Sequence, residues 1–178
     1  MKGISVMALS AFLLLVQGGT ALQAATEGSI SYRRVYELLY QFRSLPAGTT
    51  THLAFLGRVV NPSGPVPQRL LINHEKEPIV VEVDAFGLFD IPMSPQLAQL
   101  NPRMTGEPSA MVLKLGLAIV VRLPEAGPPD LHWLKEGIAQ TNAVMRARAR
   151  IAPDRVPQAH GATLRFAAGS KTVIAVLR

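Results

Sequence analysis

The chain contains no cysteine. Disulfide frameworks, thiolate zinc sites, a cysteine nucleophile and a lipidated N-terminal cysteine are therefore excluded. Charge is also scarce. Asp, Glu, Lys and Arg make up 17% of the 178 residues, below the usual proportion, so the surface must be built largely from uncharged polar residues, Gly and Pro. The excess charge is +6, but no block of like charge carries it. That distribution favours simple solubility over an anionic polymer or lipid partner. No aromatic ladder interleaves with basic residues, which argues against nucleic-acid binding.

A bilayer-spanning run is missing too. Ile4–Val16 is apolar and uncharged, but its length of about 13 residues falls short of the ~20 a permanent spanning helix needs. Its setting gives it another meaning. Lys2 supplies a positive start, Gly18-Gly19-Thr20 breaks the run, and Leu22-Gln23-Ala24 puts a small residue where a signal peptidase cuts. Residues 1–24 therefore read as a secretory signal. The protein is expected to be exported, periplasmic or extracellular, with no stable transmembrane segment after cleavage.

What is abundant is turn chemistry: fourteen Pro and fourteen Gly favour many short elements. Residues 26–178 are expected to form a single α+β domain, mainly an antiparallel sheet or sandwich packed by two main helices, about 31–45 and 131–151. In the first helix Val35, Leu38, Leu39 and Phe42 fall on one face. Ser31 is its expected cap, and Pro46-Ala47-Gly48 stops it. Tyr32, Tyr36 and Tyr40 recur every four residues beside that stripe. They are the candidate partner-binding residues, by stacking on a sugar ring, with packing against the sheet as the plainer alternative.

Thr51–Val60 alternates as a strand. Gln68–Asn73 and Ile79–Asp84 form an expected hairpin, and Leu88–Ile91 returns after a turn at Ala85-Phe86-Gly87. Ser94–Leu100 suits a short helix ended by Asn101-Pro102. From Met111 to Leu123 every odd position is apolar, which predicts a strand rather than a helix. Gly116 is expected to mark a bulge or a break in it. Asp130 caps the long helix, whose stripe is read as Leu131, Leu134, Ile138, Met145 and Ala149. Asn142 on that stripe is read as a satisfied amide at the core edge, and Gly137 as a point of close packing. Arg146, Arg148 and Arg150 suit the negative end of the helix dipole. Ala162–Ala167 and Thr172–Leu177 read as a closing hairpin.

Residues 55–92 carry a resemblance. GRVVNPSGPVPQRLLI followed by VDAFGLFDIP is similar to the carboxypeptidase-regulatory-like, or transthyretin-like, β-sandwich domains. Those run Gly-x-Val, a Ser-Gly-x-Pro-Val-Pro turn and Asp-x-x-Gly-x-Phe-x-Leu-Pro, and Gln68-Arg69 replaces their usual Gly-Ala. The resemblance implies that Gly64 and Gly87 sit in tight turns while Phe89 and Ile91 face one core. The whole order of features, from the leader through DAFGLFDIP and LNP to LKEGIAQTN, also resembles a family of uncharacterised secreted bacterial proteins, which implies no activity.

Chemistry is thinly signalled. His52, His74, His132 and His160 lie in different elements without metal-ligand spacing, so no metal or cofactor is expected. No nucleophile elbow, phosphate loop or dinucleotide fingerprint occurs. Asp84 and Asp90 flank a turn, which Asp84 is expected to stabilise. Two readings follow. One is a non-enzymatic envelope module binding a protein, glycan or lipid through a sheet face or edge. The alternative is a hydrolase assembled from dispersed groups, such as His52 or His74 with Asp84 or Glu82.

Overall fold

Side-chain alternation in β4 (Leu53–Val59) sets the frame: Leu53, Phe55, Gly57 and Val59 are buried and the residues between them half-exposed, as the pleat requires. The computed structural model describes residues 9–10, 22–23, 28–60, 66–74, 77–107, 113–122, 124, 130–148, 156, 158–159 and 163–164. In chain order the other elements are β1 (Leu9–Ser10), β2 (Leu22–Gln23), β3 (Ser29–Ser31), α1 (Tyr32–Arg43), β5 (Arg69–Ile72), β6 (Ile79–Glu82), β7 (Leu88–Phe89), α2 (Pro95–Leu100), β8 (Arg103–Glu107), β9 (Lys114–Val121), α3 (Leu131–Arg148) and β10 (Thr163–Leu164).

The fold is α+β. One sheet runs β10-β1-β9-β4-β7, with β2 also against β9; the other runs β3-β8-β5-β6. Every strand pairing among the described residues is antiparallel. The axis of the first sheet is the seven-residue register from Leu53↔Val121 to Val59↔Leu115. Two short strands from the expected leader, β1 and β2, lie on the far edge of β9.

One face of β4 and β9 is shared between two cores. Val59, Phe89 and Leu115 pack against Leu70, Ile72, Val81 and Met104 of the second sheet, with Tyr32, Val35 and Leu39 of α1. Further along, Leu53, Phe55, Ile119 and Val121 are covered by Val144 of α3, with Phe42 and Trp133 beside them. Leu117 touches both clusters, and α1 lies over the junction, Leu39 in one cluster and Phe42 in the other.

The Asp84–Leu88 turn forms as its residues dictate. Asp84 Oδ1 accepts from the N–H groups of Phe86 and Leu88, each at 2.8 Å, the side-chain route by which aspartate holds a turn. Asp130 caps α3 by accepting from Trp133 N–H at 2.7 Å.

Several expectations need correction. α3 is rotated from its predicted phase. Gly137, Thr141 and Val144 are its buried residues, whereas Leu131 is 54% exposed. A glycine and a threonine do not register as an apolar stripe. Yet Gly137 brings the helix so close that a Cβ there would lie 2.7 Å from Val121 Cγ1, and Thr141 satisfies its hydroxyl on Gly137 O at 2.8 Å. β9 passes through Gly116 in unbroken register opposite Arg58, with neither bulge nor break. Helix α1 begins at Tyr32, with Ser31 at the N-cap position as expected, and Ser29–Ser31 leads into it as a short strand. β8 leaves no signal in the sequence, because RMTGE buries only Met104 and Gly106. Of the closing hairpin, Thr163–Leu164 is described as strand, and its second strand, with Met111, Leu123, Ala149, Arg150 and His160, lies outside the described residues.

Candidate binding surface

Helix α1 is fixed by an exchange of caps with α2. Ser31 occupies the N-cap position but makes no side-chain cap bond. The acceptor comes from elsewhere in the chain: Asn101 Oδ1 receives Arg33 N–H at 3.1 Å and Ser31 Oγ at 2.5 Å. Arg33 returns the exchange, its guanidinium donating to Ala98 O and Gln99 O at the end of α2. Each helix end thus meets a partner of the sign its dipole favours. Asn101 itself is left-handed, at φ 51°, a conformation asparagine tolerates better than most residues.

That anchoring sets the tyrosine row. Tyr32 is fully buried; its hydroxyl donates to Pro92 O and accepts from Ser94 N–H. It serves packing and offers no face to a ligand. Tyr36 is half-buried, and Tyr40 is 53% exposed and stacked on it, ring centroids 5.6 Å apart at 14°. Of the three candidates, the outer two form an accessible aromatic surface.

Burial pushes the Tyr32 phenol above its ordinary value; the Ser94 bond opposes this and neighbouring Tyr36 adds to it. With the folded value raised, the associated stability is complete below about pH 10 and is lost as pH rises through the folded value. Wild type is expected to be more stable than Tyr32→Phe at pH 8, with that advantage shrinking by pH 11. Urea midpoints at the two pH values check this; a pH-independent difference would contradict it.

One turn beyond Tyr40, on the same helix face, Arg43 reaches the sheet. Its Nε and a terminal nitrogen donate to Phe55 O at 3.0 and 2.6 Å, and it pairs with Asp90 at 2.6 Å. Beside it opens a cleft of about 340 Å³ lined by Arg43, Thr50, Leu53, Leu56, Asp90 and Arg122.

The residues named for a hydrolytic site are engaged separately. Asp84 holds its turn, and Glu82 pairs with Arg69 at 3.2 Å. His52 belongs to the seam between β4 and α3. Its N–H donates to Gln140 Oε1, which turns the Gln140 amide nitrogen toward Thr51 Oγ1 and His52 Nδ1, at 2.8 and 2.9 Å. Nδ1 is therefore the accepting nitrogen, and the ring stands edge-on to Trp133 at 4.1 Å. No hydrogen bond joins His52 or His74 to Asp84 or Glu82 among the described residues. Among them, too, no group of three or more His, Asp or Glu could hold a metal ion, and no helix is long and apolar enough to cross a membrane. Asn142 is satisfied, its amide exchanging two bonds with the Ala159 backbone at 3.0 and 2.7 Å.

Sequence reasoning missed Arg43, Arg122 and Asn101. Only the LNP motif hinted at Asn101; nothing local marks an arginine that will bond a strand carbonyl twelve residues away. No protein-family model, curated protein or solved structure matches the chain. The fold and surface thus define an α+β protein with an aromatic patch and, one helical turn beyond it, a cleft at Arg43.

Proposed function

We propose that the protein is an exported, non-enzymatic binding module of the cell envelope, periplasmic or extracellular, that holds a protein, glycan or lipid partner. Membership of a family of uncharacterised secreted bacterial proteins belongs to the same proposal. The observation that carries the reading is the exposed Tyr40 ring stacked on Tyr36, leading along one helix face to Arg43 and the cleft. Aromatics with a rigid, half-wet face supply contact area at little entropic cost. The engagement of Asp84, Glu82 and His52 in turn, ion pair and seam favours binding over hydrolysis. Cleavage after Ala24 would also lift β1 and β2 off β9.

Tagged protein recovered from the envelope tests this. Mass spectrometry is expected to find an N-terminus after Ala24 and a co-purifying partner that Tyr36→Ala/Tyr40→Ala no longer retains. An intact Met1, or equal retention by the double variant, would overturn the proposal.

A further inference from the structure

Helix geometry aims the tyrosine patch. Side chains four apart succeed one another along the axis. Tyr36 therefore covers the ring face of Tyr40 turned toward the start of α1, at 14° and 5.6 Å between centroids. The other face of Tyr40, a residue 53% exposed, is turned toward the end of the helix. There Arg43 reaches over to Phe55 O on the sheet, and the cleft of about 340 Å³ opens beside it. That volume lies at the lower end of the ~300–1,000 Å³ of small-ligand sites.

The charged groups lining the cleft are Arg43, Asp90 and Arg122, two cations against one anion. Arg43 and Asp90 pair at 2.6 Å, yet the Asp90 side chain keeps 61% of its surface exposed. The pair sets donors and an acceptor side by side, which suits hydroxyl groups, since each hydroxyl both donates and accepts. Arg122 carries the remaining charge. It follows β9, its N–H held on His52 O at 2.7 Å, and it is exposed, so its planar fork can take a carboxylate. We infer that the cleft and Tyr40 together bind an acidic sugar, a glycan segment bearing carboxylate groups. One ring stacks on the outer face of Tyr40, hydroxyls bridge Arg43 and Asp90, and a carboxylate lies on Arg122. The inference rests on the binding reading and names its ligand class. An anion without hydroxyls meets Asp90 with nothing to offset the repulsion, and a neutral glycan leaves the charge of Arg122 unanswered.

Isothermal titration calorimetry of the full chain tests this with trisaccharides of galacturonate and of mannuronate, their methyl esters, and sodium acetate. At least one acid is expected to bind about tenfold or more tighter than its ester at low salt. That advantage should vanish near 1 M salt, where the screening length is about 3 Å. Acetate, a carboxylate without ring or hydroxyls, is expected to bind at least about a hundredfold more weakly than that acid. Arg122→Gln, checked for an unchanged melt, should erase the preference for acid over ester. Tyr40→Ala should weaken acid and ester alike and leave their ratio unchanged. Equal affinity for acids and esters, an unaltered preference in Arg122→Gln, full affinity in Tyr40→Ala, or no binding up to about 10 mM would overturn the inference. If the envelope partner is retained while the sugars fail, the ligand class is wrong and the binding reading survives. If the sugars behave as expected while retention ignores Tyr36→Ala/Tyr40→Ala, the retained partner uses another surface and the sugar site stands.

Discussion

Replacing Phe89 by alanine is expected to lower the free energy of unfolding by about 3–5 kcal/mol, the range for a buried aromatic cut to a methyl. Phe89 is 3% exposed and belongs to the larger core, where it joins the first sheet to the second and to α1. The remaining cluster comes from eight separate elements, so no single shift fills the space, and the cavity adds to the lost transfer energy. The denaturant midpoint should fall with an unchanged slope. A loss below about 1 kcal/mol would mean that neighbouring side chains collapse into the site.

The second large effect comes from a residue with no side chain. Gly57 lies directly opposite Phe89 in the β4–β7 register, and the ring folds back across it. A Cβ on Gly57 would stand 2.2 Å from the ring's Cζ and 2.3 Å from Cε2, so the aromatic would have to leave its position. Gly57→Ala is expected to cost about 1–3 kcal/mol by overpacking, despite the usual gain from removing a strand glycine. The two substitutions should not add. In a Phe89→Ala background the new methyl meets vacated space, and Gly57→Ala becomes nearly neutral. A double-mutant cycle is expected to show a coupling of about 1–3 kcal/mol. Additive effects would mean that ring and glycine do not meet in solution.

This pair also explains the unusual brevity of β7. A two-residue strand has little ladder of its own. It is held by an aromatic laid over a glycine, a known means of pinning register at a glycine in a sheet, and by the Asp84 turn that delivers it. Beyond it, Arg43 covers the next carbonyl of β4 and keeps a stretch of edge from offering a full template for pairing. The same arginine also lines the cleft beside α1.

The sequence alone determined the elements whose residues interact with near neighbours. Alternation gave β4 and β9, turn residues gave the β5–β6 hairpin and the Asp84 turn, and 3.6-residue spacing gave α1, because each rests on local backbone preference and one buried face. Only the tertiary structure decided the rotation of α3, the existence of β8, the α1–α2 cap exchange through Asn101 and Arg33, and the meeting of Arg43, Asp90 and Arg122 at one cleft. Those features depend on groups distant in the chain, on a glycine chosen for closeness rather than apolarity, and on polar atoms satisfied across elements, none of which leaves a periodic trace.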